Sequence, residues 1–77
     1  MSYHVFTKQG DATPEVEAVL ASLKTQGIGK DACGMYKCMY VTRAGQTVLM
    51  TETRDTPLAR EMRGRPGWME PGDKELN

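Results

Sequence analysis

The sequence predicts an α+β fold with element order β-α-β-β-α. A three-stranded, mainly antiparallel sheet packs one face on one main helix. Three observations lead to this reading. An apolar stripe at helical spacing runs through residues 13–26, between a clear start and a clear stop. Two β-rich runs, 35–42 and 46–53, flank a three-residue turn. A weakly alternating run, "SYHVFTK" at 2–8, precedes the helix.

The first strand, 2–8, is rich in β-formers and is broken by "QGDA". In "TPEVEAVLASLKTQGI", Thr13 is the expected N-cap and Pro14 suits the first helical turn, where its missing N–H has no partner. Glu15 and Glu17 sit near the positive end of the helix dipole. Val16, Val19, Leu20 and Leu23 fall at i, i+3, i+4 and i+7 and make one apolar stripe. Gly27 takes the left-handed closing position, and Ile28 follows where a Schellman cap places an apolar residue against Leu23. "GKDACG" (29–34) is a loop. In "RAG", Arg43 and Ala44 suit a type I turn and Gly45 the left-handed bulge position. That register pairs Thr42 with Gln46, Tyr40 with Val48, and Cys38 with Met50. A second, shorter helix is expected in "DTPLAREMRG" (55–64), capped by Thr56, opened by Pro57 and ended by Gly64. "RPGWMEPGDKELN" (65–77) holds two Pro-Gly pairs and a charged end, so it reads as an extended or disordered tail. Residues 1–64 are therefore expected to form the single domain.

Seventy-seven residues bury a limited core. Small domains often add a disulfide, a metal or a partner subunit. Ten basic residues balance ten acidic ones, so there is no global attraction to nucleic acid or anionic membrane. No apolar stretch approaches the ~20 residues a bilayer demands. There is no secretory signal, and two cysteines are too few for a disulfide scaffold, so a cytoplasmic location is expected. The size is that of small accessory proteins of bacteria or phages.

The densest chemistry is "ACGMYKCMY" (32–40), which holds both cysteines. Cys33 and Cys38 within one strand would lie on opposite faces, about 16 Å apart, too far for a disulfide. As zinc ligands they and His4, the only histidine, are one short of four. Cys38 reads as a core residue and Cys33 as an exposed loop thiol without a strong activator. His4 reads as a surface or half-buried imidazole. Glu15 and Glu17 answer the helix dipole, and "GIGKDACG" follows a helix and opens none, unlike a phosphate loop. The expectation is a non-enzymatic chain with no cofactor and no bound metal.

Two binding readings follow. One hairpin face carries Tyr36, Cys38, Tyr40, Val48 and Met50, and is expected to meet the helix. The other carries Lys37, Met39, Val41, Thr47, Leu49 and Thr51. Met39, Val41 and Leu49, with Trp68, are therefore the candidate surface for a protein partner or a second copy. The competing possibility is that the second helix and Trp68 fold over that face. This favours a small interaction module in a regulatory or inhibitory role, self-associating as a homodimer. The alternative is nucleic-acid binding through Arg54, Arg60, Arg63 and Arg65. In addition, Leu20, Leu23, Gly27, Tyr40, Thr42 and Gly45 resemble the last helix and wing of winged-helix domains over about 35 residues. That resemblance implies a DNA-contacting helix and hairpin.

Overall fold

Among the described residues, every strand pairing in the sheet is antiparallel. The computed structural model describes residues 2–28, 32 and 37–75, with the backbone alone for Lys37 and Cys38. Its strands are β1 (Ser2–Gln9), β2 (Lys37–Val41), β3 (Gln46–Thr51) and β4 (Met69–Glu75), with helices α1 (Thr13–Thr25) and α2 (Pro57–Met62). The strands lie in the order β2-β3-β1-β4. The α+β class is as expected. The sheet has four strands instead of three, because residues 69–75 of the expected tail pair with β1 and close its outer edge.

Helix α1 begins at Thr13, the expected cap residue itself, so the N-cap lies one residue earlier than expected. Thr13 lies inside the helix and Ala12 is the N-cap, with no side-chain capping bond. Two nearby groups substitute for that cap. Asp11 Oδ1 accepts from the Thr13 N–H at 3.0 Å, and Thr47 Oγ1 accepts from the Ala12 N–H at 2.8 Å. The same Thr47 hydroxyl donates to the Gly10 carbonyl at 2.6 Å. A buried threonine on β3 thus fixes the chain between β1 and α1. The other end closes as a Schellman motif. The Ile28 N–H reaches the Leu23 carbonyl at 2.9 Å and the Gly27 N–H reaches Lys24 at 3.0 Å, with Gly27 at φ 83.

The hairpin register is the expected one: Cys38 pairs with Met50, Tyr40 with Val48 and Val41 with Thr47. Helix α2 is capped by Thr56, whose Oγ1 accepts from the Ala59 N–H at 3.3 Å.

Both helices pack on the same sheet face. The main cluster joins Val16, Val19 and Leu23 of α1 to Leu58, Ala59 and Met62 of α2, over Phe6 and Leu49 of the sheet, with Ala32. Met39, Leu20, Ile28 and Trp68 pack against it. The hairpin faces are thus the reverse of the expectation: the Met39–Leu49 face meets the helices. The second helix explains this, since Leu58, Ala59 and Met62 add a stripe that one helix alone lacks. The winged-helix arrangement is not formed. Helix α1 lies on a four-stranded sheet, and a strand precedes it directly.

Candidate interaction surface

A second apolar cluster, Tyr3, Val5, Val48 and Met50, lies on the opposite sheet face and contains no helical residue. Strand register shows how it is laid out. Residues directly opposite in an antiparallel pair share a face. Tyr40 pairs with Val48, Val48 with Thr7, and Thr7 with Met69. These four side chains make one row across all four strands, about 14 Å from end to end. The neighbouring row holds Met50, Val5 and Gly72. The centre of the face is closed, with Val48 and Met50 each 8% exposed, while the ends stand out: Tyr40 is 49% exposed and Met69 68%.

The helix-covered face holds two polar clusters. In the first, His4 is 5% exposed. Its Nδ1 lies 2.8 Å from Asp73 Oδ1 and its Nε2 2.5 Å from Glu70 Oε2. The ring meets Phe6 edge-on at 5.2 Å. Arg63 grips the other side of Glu70, with Nη2 2.8 Å from Oε2 and Nε 3.1 Å from Oε1. The Arg63 guanidinium first, and His4 second, hold the Glu70 carboxyl down to about 2. In the second cluster, Glu15 accepts from Lys8 Nζ at 2.7 Å and from Arg65 Nε at 2.8 Å. Lys8 first and Arg65 second pull the Glu15 carboxyl down to about 2. The Trp68 indole N–H lies buried without a formed hydrogen bond. It adds only a weak favourable contribution to Glu15. Lys8 Nζ stands 5.8 Å over the Trp68 ring.

This chemistry is that of fasteners. Both ring nitrogens of His4 face carboxylates, and the ring is enclosed. Among the described residues no group of three or more His, Cys, Asp or Glu side chains converges as a metal site. One small open groove, about 180 Å³, lies between the helices and is lined by Ala18, Val19, Ser22, Glu61 and Arg65.

The residues singled out from sequence fall as follows. Leu49 is fully buried, and Met39 and Trp68 pack on the main cluster. These three are not a free surface. Val41 is 42% exposed, at the far end of the same face. Of the four arginines, Arg63 and Arg65 are spent on Glu70 and Glu15, whereas Arg54 and Arg60 are exposed. Cys33 and Tyr36 lie outside the described residues, as does the Cys38 side chain, so the expectations about the thiols fall there too. Sequence reasoning missed His4, Glu70 and Asp73 as a unit. Its members are 66 and 69 residues apart, and no local pattern links them.

Among the described residues no helix is long and apolar enough to cross a membrane. No protein-family model matches the chain, nor does any curated protein or any solved structure.

Proposed function

We propose that the chain is a non-enzymatic protein-interaction module that docks through the helix-free face of its sheet, with a second copy of itself as the first occupant. The observation that carries this reading is the row Tyr40–Val48–Thr7–Met69, with its large apolar ends exposed at opposite edges of the sheet. A two-fold axis running along the strand direction lays one such row on another in reverse. Tyr40 of each copy then meets Met69 of the other. The contact is self-complementary, as a two-fold interface demands, and sulfur beside an aromatic ring is favourable. Zero net charge leaves no overall repulsion between copies. A standard interface takes roughly 800 Å² per partner. A regulatory or inhibitory role follows if the same face can be taken by another protein instead.

Sedimentation tests the reading. At tens of micromolar the wild type should show twice the chain mass of 8.6 kDa. Tyr40→Glu and Met69→Glu should each give folded monomers with helix content retained. The double variant Tyr40→Glu, Met69→Lys should dimerise again, because each Glu then faces a Lys across the axis. A wild type that sediments as a single chain overturns the second copy as occupant. A dimer indifferent to both residues overturns this face.

A further inference from the structure

The fold places its described methionines in unlike surroundings. Met62 is fully buried on α2, and Met50 is buried at the centre of the helix-free face. Met39 packs against the main cluster. Met69 is the exception, with 68% of its surface in solvent. It opens β4, lies opposite Thr7 and ends the row that Tyr40 begins. A thioether is soft and polarizable. A dissolved oxidant meets it where the sulfur is exposed, and conversion to the sulfoxide turns an apolar side chain into a polar one.

We propose that Met69 is an oxidative modification site, and that its conversion to the sulfoxide by a peroxide undoes the docking of a second copy on the sheet face. The modification needs only the exposed sulfur; its effect rests on the sheet-face reading. The step balances. The sulfur lone pair attacks one oxygen of hydrogen peroxide, and an S–O bond forms as the O–O bond breaks. The proton on the transferred oxygen passes to the departing hydroxide, which leaves as water. Sulfur is oxidised by two electrons and the peroxide is reduced by two. A methionine sulfoxide reductase returns the thioether, so the change is reversible. The direction follows from the docked arrangement. Met69 of each copy lies against the Tyr40 ring of the other, where a thioether adds apolar contact and sulfur beside the ring is favourable. The sulfoxide oxygen must shed water to enter that contact, which is costly. Two-fold symmetry repeats the cost, since the contact occurs twice in each pair. Docking also covers the sulfur that the single chain exposes, so association and oxidation oppose each other.

The test treats the full chain with hydrogen peroxide and then with dithiothreitol, which reverses disulfides and sulfenic acids but leaves methionine sulfoxide in place. Peptide mass spectrometry should find Met69 converted well before Met39, Met50 and Met62. Its rate should fall as chain concentration rises. Sedimentation of the oxidised chain should give the single-chain mass with helix content retained. Self-association should weaken by about tenfold for each of the two contacts, or about a hundredfold in all, the scale of a buried polar group left without its partner. Reductase treatment should restore the dimer. Met69→Leu keeps an apolar side chain of similar volume with no sulfur to oxidise; it should dimerise and stay dimeric after peroxide. Met69→Gln, polar at the same place, should be a folded single chain with no oxidant present. Conversion of Met39, Met50 or Met62 ahead of Met69 overturns the site. A dimer that survives full conversion of Met69, yet is broken by Met69→Glu, overturns the switch alone, as does dissociation by peroxide that persists in Met69→Leu. An untreated wild type that sediments as a single chain overturns the second copy as occupant, and the switch with it.

Discussion

Leu49 sits where three elements meet. It is fully buried on β3, in the cluster that joins Phe6 of β1 to the apolar stripes of both helices. Truncation there leaves a cavity that neighbours on three elements cannot all fill. Leu49→Ala should therefore cost about 2–5 kcal/mol, read as a lower denaturant midpoint with an unchanged slope. Leu49→Glu buries an unpaired carboxylate and should unfold the chain, seen as loss of helical circular dichroism. A folded Leu49→Glu would show that the face assignment is wrong. The contrast with Tyr40→Glu, one row away on the opposite face, makes the pair diagnostic. Period-two alternation made legible which hairpin residues share a face, and the register from the "RAG" turn was legible too. Which face meets the helices was not legible, because Tyr40, Val48 and Met50 are as apolar as Met39, Val41 and Leu49. The choice is made by long-range partners: Phe6, and the stripe of α2.

The elements are tied by carboxylates as well as by apolar contact. Glu15 on α1 takes Lys8 from β1 and Arg65 from the segment before β4, and Glu70 on β4 takes Arg63. Both carboxyls are about 2 in the fold, against ordinary values of 4.5. A folded value below the unfolded one means stability that is fully present above about 4.5 and is lost as pH falls through about 2. Denaturant midpoints measured between those limits should fall with acid. Glu15→Gln should lower stability at neutral pH and flatten the acid slope, because its neutral amide does not titrate. An unchanged slope in Glu15→Gln would rule out the Lys8–Glu15–Arg65 tie as a source of acid sensitivity. Two ends of elements were readable from local chemistry, while the start of α1 was not, since Ala12 rather than Thr13 is its N-cap. The Gly27–Ile28 closure and the Thr56 cap rest on residues adjacent in sequence. β4 was not readable, since an exposed edge strand carries no apolar alternation, and Pro71 and Gly72 argue against a strand by propensity.

At the scale of the whole molecule, the placement of charge bears on nucleic-acid binding through the arginine cluster. The arginines clustered in sequence, Arg54, Arg60, Arg63 and Arg65, carry the alternative reading, a phosphate-binding patch. The fold divides them: Arg63 and Arg65 neutralise Glu70 and Glu15, leaving Arg54 and Arg60 exposed beside Glu61 and Asp55. A phosphate competing for Arg63 would have to displace a carboxylate held by three close contacts. Two free arginines can release counterions from about two phosphates. Duplex DNA binding through this cluster should then show a log–log salt slope of about −2 or shallower, at roughly −0.9 per phosphate. Affinity at physiological salt should be weaker than ~10⁻⁵ M, within the non-specific range. Fluorescence anisotropy of a labelled duplex, titrated at several salt concentrations, measures both quantities. Arg54→Ala with Arg60→Ala should remove what binding there is, and Arg63→Ala should act mainly by destabilising β4. A sub-micromolar complex with a slope several times steeper, lost on Arg63→Ala and Arg65→Ala in a protein that stays folded, would mean that both ion pairs open to admit phosphate. The sheet face would then lose its place as the principal binding surface.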